Sequence, residues 1–472
     1  MKPSFVVAAV MVLAVAAAAG CKRTNGAYCD DARPCASGFA CNLTARECSP
    51  IIGGNDMSIG DFDMAGCNCG ATTPICVAMS CVSCMSTSDP DAACSAVSAT
   101  TPHCAADGSC VGCRDANDCS GATPFCDATT HQCRGCIADK ECTSLICDLT
   151  PDSTTHGICV DPRLVIYADA ATGDDANKGL TPTTATKTVQ KAENLAIMMP
   201  AHPYVHVATG SYNEAVAITG PVTLTFVGAD GATIHSTMNG KDAFGVQNNA
   251  QVTIRNLIIT ATTGANGGNC SLGGVSFTAY HTQFINSAQV GVYSSACALK
   301  LDGCTVAGNQ QGGVYIVSGD FDVKNSVIVK NNDTGFVQGL TSANTIFVNN
   351  TVADNRAGNG IAGLKCATGS TLTPVNTILY NNRDSGNTLQ ETDCSGAFVA
   401  TDDVSAGPQS TVDLTMQPPG FVGAGDYHLV STSPCIDEGT NSMGAPDHDY
   451  DLAPRPDATK KIWDIGAYEF QK

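Results

Sequence analysis

Charge is what this chain has least of. Asp, Glu, Lys and Arg make up 14% of its 472 residues, against roughly 25% in an ordinary soluble domain. Basic residues are the scarcer kind, 24 against 44 acidic ones, for a formal net charge of −20. That balance excludes nucleic acid and anionic lipid surfaces as partners. A polyanionic polysaccharide would need local basic residues or bridging cations. Aromatic residues are 6% and tryptophan occurs once. Long apolar runs are missing too: the longest, Phe5 to Ala19, falls short of the roughly 20 residues that span a bilayer. What is plentiful is glycine (47 residues) with threonine and asparagine, a composition suited to short strands and tight turns. At this length a single core is excluded, and two to four units are expected.

Cysteine is the other excess. Of 27 cysteines, 21 lie between Cys21 and Cys159, a density that outside the cytosol implies disulfides. Zinc ribbons are the competing reading, but histidine is scarce (nine in all) and the spacings fit no zinc finger. From Cys29 to Cys48 the spacing is C-x5-C-x5-C-x6-C, and from Cys113 to Cys136 it is C-x5-C-x6-C-x6-C-x2-C. CVGCRDANDC (110–119) and CRGCIADKEC (133–142) are near copies, and CVSC (81–84) begins a looser version. Four or five modules result, each too small for an adequate core and each held by bridges of undetermined connectivity. Their spacing resembles the Dickkopf-type cysteine-rich repeats of secreted proteins. The resemblance implies a protease-resistant spacer, with a ligand-binding module as the alternative.

Before this segment, Lys2, the apolar run and Ala18-Ala19-Gly20-Cys21 resemble a bacterial lipobox, with alanine at 18 where leucine is commonest. The resemblance implies lipid on Cys21 as the first mature residue; an ordinary secretory signal is the alternative. Setting Cys21 aside leaves 20 cysteines in 29–159 and six later, both even, as pairing requires. Multiple acyl chains give stable anchoring, and Lys22 in place of aspartate points to the outer membrane or cell surface.

Cysteine then disappears for 110 residues. Within Thr282 to Asn382 the runs QFIN, TVAGN, VIVKN, TVADN and TILYN close on Asn286, Asn309, Asn331, Asn355 and Asn381, spaced by 23, 22, 24 and 26. A strand-rich repeat in the low twenties with no helical period is the signature of a solenoid. Strands in successive coils stack about 4.8 Å apart, so these five asparagines are expected to form an inward ladder that satisfies the turns. A sugar-binding row is the other reading. Further strands are expected at Val165–Ala168, Tyr204–Val207, Val222–Val227, Ala232–His235, Val252–Ile259 and Val275–Phe277. Lys187 to Met198 carries Val189, Ala192, Leu195 and Ala196 at helical spacing. Cys270–Cys297 and Cys366–Cys394, 27 and 28 apart, suit bridges between adjacent coils; Cys304 and Cys435 are left without partners.

Tyr167, Asp169, Gly173, Asp175, Thr188-Val189-Gln190, Ala192, Val205, Val207, Gly210, Tyr212 and Glu214 resemble the opening of right-handed parallel β-helix proteins of the pectin-lyase-like superfamily. The resemblance implies an all-β solenoid whose open amino-terminal end is covered by the helix. At the other end, Tyr427 to Leu429, Ser433 to Asp437, Gly439, Asp449, Arg455-Pro456 and Asp464 to Glu469 are similar to the tail of choice-of-anchor Q surface proteins. There Arg455 is expected to pair with Asp437 or Asp464 as a structural ion pair, a catalytic arginine being the alternative. The chain thus reads as a signal peptide (1–20), cysteine-rich repeats (21–160) and a β-helix (161–472) with its tail motif from about 425.

Catalysis has little support. Asp302, Asp320, Asp322, Asp333 and Asp354 fall at unlike coil positions, and no polygalacturonase or alginate-epimerase motif is present outside PDHD (446–449). His281 reads as a surface or turn residue. No cofactor is implied; calcium at Asp447, Asp449 and Asp451 competes with solvated loop carboxylates. The leading expectation is a non-enzymatic, lipid-anchored surface protein binding glycan or another surface protein, and the alternative is a polysaccharide lyase.

Overall fold

The structure is a computed structural model and describes residues 39–42, 47–50, 69–78, 80–151, 153–403, 410–441, 444–459 and 461–471. The expected signal peptide, Cys21 and much of the first cysteine module lie outside the described residues. Two compact units divide the chain between Val82 and Ser83. The first holds two hairpins, Phe39–Asn42 with Glu47–Pro50 and Ile75–Val77 with Ser80–Val82, and the Cys69–Cys81 bridge.

Three cysteine modules open the second unit, and they share one connectivity. Cys84–Cys104 with Cys94–Cys110, Cys113–Cys126 with Cys119–Cys133, and Cys136–Cys147 with Cys142–Cys159 each join first to third and second to fourth. The C-x2-C pairs are therefore seams: Cys110 ends one module and Cys113 begins the next. The modules are not set apart from the solenoid at residue 160. Ile146 packs with Val165, Tyr167 and Val227, and the Tyr167 hydroxyl donates to the Ser144 carbonyl at 3.2 Å.

From Val165 to Asp413 the chain is a right-handed parallel β-helix. Each coil contributes one strand to each of three sheets. The first sheet contains Tyr204–Val207, Thr223–Gly228, Gln251–Arg255, Phe321–Lys324 and Thr345–Val348. The second contains Ala232–Ser236, Ile258–Ala261, Gln283–Ile285, Thr305–Ala307, Val327–Val329 and Thr351–Ala353. The third contains Val216–Thr219, Phe244–Gln247, Val314–Ser318 and Phe336–Gln338. Gly268–Tyr280 and Val292–Asp302 run unbroken from the third sheet into the first. The expected single strand Val252–Ile259 is two strands, because Asn256 turns the chain with φ of 55°. Alternate side chains point inward and stack coil on coil, with Phe226, Phe244, Phe277, Phe284, Phe336 and Phe347 wholly buried.

The opening motif builds the amino-terminal cap. Val189–Met198 is a helix that buries Val189, Ala192 and Ala196 over the first coil. Thr188 caps it through the Lys191 amide, while the Glu214 carboxylate takes the Val189 and Gln190 amides at 2.8 and 2.9 Å. An anion at a helix amino terminus meets unpaired N–H groups and the favourable end of the helix dipole. Gly173 is there because a Cβ would stand 2.2 Å from the Thr186 carbonyl oxygen.

Candidate functional site

The turns show which asparagines do what. After each second-sheet strand one residue adopts the left-handed conformation: Asn286, Gly308, Lys330, Asp354 and Asn381, with φ between 53° and 69°. The next residue points inward. The ladder is therefore Asn309, Asn331, Asn355 and Asn382, all buried, with Ser287 at its foot. Asn331 Oδ1 accepts from Asn309 N and Nδ2 at 3.1 and 2.9 Å, and Asn331 Nδ2 donates to Val306 O and to Asn355 Oδ1. Asn355 and Asn382 repeat the scheme, and Asn382 ends on the buried Glu391 carboxyl. Asn286 and Asn381 are thus corrected: each stands one position early, in the left-handed slot that asparagine tolerates. The NN at 381–382 is a sequence sign that the inward place follows the turn residue. Burial and the adjoining Asp402 carboxyl push Glu391 well above the usual carboxylate range.

On the outside of the first sheet, register stacks Val227, Arg255, Tyr280, Asp302, Lys324 and Val348. Two residues earlier, Lys300 lies beside Asp322. Lys300, Asp302, Asp322 and Lys324 thus alternate in sign across two coils. Lys324 Nζ is 3.0 Å from Asp322, and Lys300 stands over the Tyr280 ring. Burial works to lower Lys300, but Tyr280 and the two aspartates outweigh it and raise its pKa. Burial raises Asp322. For Asp302 burial is outweighed by His448 and Asn325, and its pKa falls. Of the other acids considered, Asp320 accepts from Ser342 and Asn344, Asp333 caps the Thr334 amide, and Asp354 accepts from Asn381 and Tyr427. They do not join the cluster.

The carboxyl-terminal segment lies along the outside of the coils. Ala467 and Tyr427 pack on Val327, Val329 and Ala353 of the second sheet, and Cys435 and Ile465 pack on Ile378 and Ala400. Tyr450 hydrogen-bonds Thr305 at 2.7 Å, and His448 comes within 3.6 Å of Asp302. Arg455 pairs with Glu469 at 3.0 Å and donates to the Gly466 carbonyl. It does not pair with Asp437 or Asp464, because the Asp464 carboxylate already accepts the Asp437 and Phe470 amides. The three calcium candidates are separately occupied. Asp449 takes the amides of Asp451, Ala453 and Glu469; Asp451 faces His428, and Asp447 faces His448.

Two features escaped the sequence reading. The third cysteine module is bound to the first sheet by Arg255, which donates to both Asp139 oxygens at 3.0 and 2.7 Å and to the Cys147 carbonyl. A cavity of about 810 Å³ opens beside this contact. The other is the third sheet's outer face. No hydrogen bond or apolar cluster among the described residues brings module or tail onto its row Asn269, Tyr293, Tyr315 and Val337. The Tyr293 and Tyr315 rings stack 6.0 Å apart at 8°, and Tyr315 is 38% exposed.

Cys270–Cys297 and Cys366–Cys394 are bridged, whereas Cys304 and Cys435 are free and buried. Burial pushes both free thiols up to about 12, so neither is a nucleophile at neutral pH.

Residues 215–383 match the family described as right handed beta helix region. No curated protein matches the sequence. Among solved structures, the crystal structure of pectate lyase Pel9A aligns at 11% identity with a TM-score of 0.39, over 65% of this chain and 96% of that one. ORF18 of Geobacillus virus E2 aligns at 15% identity with a TM-score of 0.32, over 50% of this chain and 55% of that one.

Proposed function

We propose that this chain is a non-enzymatic protein of the cell surface, tethered by lipid on Cys21, that binds glycan or a neighbouring surface through the third face of its solenoid. The observation that carries the reading is the stacked pair of half-buried Tyr293 and exposed Tyr315, on the face that modules and tail leave open among the described residues. Tyrosine offers rigid apolar area and a hydroxyl in one side chain, the combination that recognition surfaces favour. Beside it, Asp242 holds Asn269 at 2.6 Å, which fixes a polar rim.

A lyase is the less favoured reading on chemical grounds. Its base must give up a proton near neutral pH, and Lys300 is held in the opposite direction by Tyr280, Asp302 and Asp322. Among the described residues, Lys324 pairs with Asp322 and Lys300 stands over the Tyr280 ring.

The test is retention of the secreted chain on a polysaccharide panel. Tyr315→Ala with Tyr293→Ala is expected to weaken retention at least tenfold, and retention unchanged by the pair would sink the third-face reading. Absorbance at 235 nm is expected to stay flat during incubation with polyuronates; a steady rise would establish lyase chemistry. Acyl-precursor label should enter the wild type and not Cys21→Ser, and equal labelling would remove the anchor.

A further inference from the structure

We infer that the cavity between the third cysteine module and the first coils is a binding site for an uncharged sugar of about one to three units. The inference stands apart from the third-face reading and uses none of its residues.

Three segments distant in sequence enclose the cavity: Leu145 and Leu149 of the module, His206 and His281 of the solenoid, and Leu452 of the tail. Its volume of about 810 Å³ lies within the range of built ligand sites, roughly 300–1,000 Å³. The bidentate Arg255–Asp139 pair fixes the module wall against the sheet, so the space is shaped before any ligand arrives.

His206 is the decisive residue. It is 5% exposed, it lines the cavity, and its imidazole makes no hydrogen bond among the described residues. Its ring meets Tyr167 and its nitrogens are not sealed off by protein, so they face the cavity, and at this strand position the next coil carries Val227, which has no polar group to offer. His281 repeats the anomaly. It occupies the left-handed turn slot, φ 42°, that Asn256, Gly303, Asn325, Asn349 and Asn376 fill in other coils. Its side chain too lacks a hydrogen bond, meeting only the Tyr450 ring edge-on. Histidine, like asparagine, tolerates that slot; what sets this coil apart is that the side chain there is an imidazole lining the cavity.

The chemistry of the walls selects the ligand. Burial keeps both imidazoles neutral at pH 7, with His206 pushed down to about 4 and His281 lowered. Each then offers one donor and one acceptor, the complement of a hydroxyl group. The carboxylates are already engaged: Asp139 by Arg255, Asp169 by Thr172 and two backbone amides, Asp230 by the Asn256 amide. An anion would meet three carboxylates against two basic residues, Lys140 and the already paired Arg255, and a cation would have to displace existing partners. Leu145, Leu149, Ala208 and Ala229 supply an apolar wall for the C–H face of a pyranose ring.

The experiment titrates the full secreted chain with neutral trisaccharides of glucose, galactose, mannose and N-acetylglucosamine, beside trigalacturonate and chitosan trimer. Calorimetry gives affinity, and imidazole nitrogen shifts of His206 and His281 give location. A neutral trisaccharide is expected to bind, to move both sets of shifts, and to lose at least tenfold in His206→Phe and in Ala208→Trp. His206→Phe keeps a ring beside Tyr167, and Ala208→Trp fills the space from just past the end of the same strand, so one of them folding normally is enough. Binding confined to the charged trimers, or neutral binding unchanged in a folded variant, overturns the inference. So does the absence of binding by any neutral trimer. Loss of polysaccharide retention in Tyr315→Ala alone would leave the third-face reading standing and says nothing for the cavity; trimer binding lost only in the cavity variants would do the reverse.

Discussion

The cysteine modules and the solenoid solve one problem in two ways. Neither a 24-residue module nor a single coil buries enough apolar surface to fold alone. The module answers with covalent bonds: Cys136, Cys142 and Cys147 are themselves the core of the third, with Phe125, Leu149 and Cys159 around them. The coil answers by repetition. Its buried strands and Asn309, Asn331, Asn355 and Asn382 each find partners in the coil above or below. The difference teaches where each region is fragile. A module fails at one bond, whereas a solenoid distributes the loss between neighbours.

The largest contrast follows from cutting a bridge in each region. Cys136→Ser with Cys147→Ser should unfold the third module, a cost of about 2–5 kcal/mol, and expose 136–159 to protease. Cys270→Ser with Cys297→Ser should lower the melting temperature while leaving the solenoid's β-sheet circular dichroism intact, because Phe277, Val292 and their neighbours remain buried. Protease resistance of the reduced third module would erase the comparison.

Within the solenoid the two asparagine classes should separate next. Asn331→Ala leaves the Asn309 amide groups and the Val306 carbonyl buried without partners. At roughly 1–3 kcal/mol for each stranded group, a loss of about 3 kcal/mol in urea unfolding is expected. Asn286→Ala carries only the left-handed penalty, about 1 kcal/mol, and Asn286→Gly should be near neutral. Equal costs at 286 and 331 would put the ladder in the wrong place.

The seam between the regions comes third. Arg255→Ala takes the guanidinium from Asp139, which keeps only the Cys147 amide, and from the Cys147 carbonyl. The Asp139 side chain is 21% exposed, so the loss should be about 2 kcal/mol, below that of a fully buried pair. Pulsed hydrogen exchange should show protection falling in 136–159 and not in the coils.

How legible all this was in the sequence depends on the distance over which the deciding interaction acts. Repeat period, strands, capping helix and both inter-coil bridges were legible because each is set by residues within one or two coils. The asparagine register was half legible, since a one-residue slip exchanges the left-handed slot for the inward one and the sequence shows asparagine in both. Module connectivity was hidden, because C-x2-C reads as a unit and is a seam. The cavity was not legible at all. It depends on Asp139 meeting Arg255 across 116 positions and on Leu452 arriving from the tail, and no local pattern encodes such a meeting. Arg455 was placed correctly as structural and given the wrong partner, because backbone amides claim Asp464 first.

The smallest expected effect tests the solenoid's two ends. Each carries a buried acid: Glu193 in the capping helix and Glu391 where the ladder stops. Burial lifts Glu193 to about 7, with the Gln190 amide pulling the other way. An unfolded glutamate titrates near 4.3. Below that pH both states hold the proton and the group costs nothing. As pH rises the unfolded chain ionises first, so stability declines until the folded group ionises as well, near 7. Glu391, also raised, acts in the same direction. The protein should therefore melt at a lower temperature at pH 8 than at pH 5. Glu193→Gln keeps an oxygen for Gln190 and has no proton to lose. It should gain stability at pH 8 relative to wild type and nothing at pH 4, the gap opening between about 4.3 and 7. A constant difference at every pH would mean that Glu193 matters only for its shape, and the slope would then belong to the other raised acids, Glu391, Glu214 and Glu469 among them.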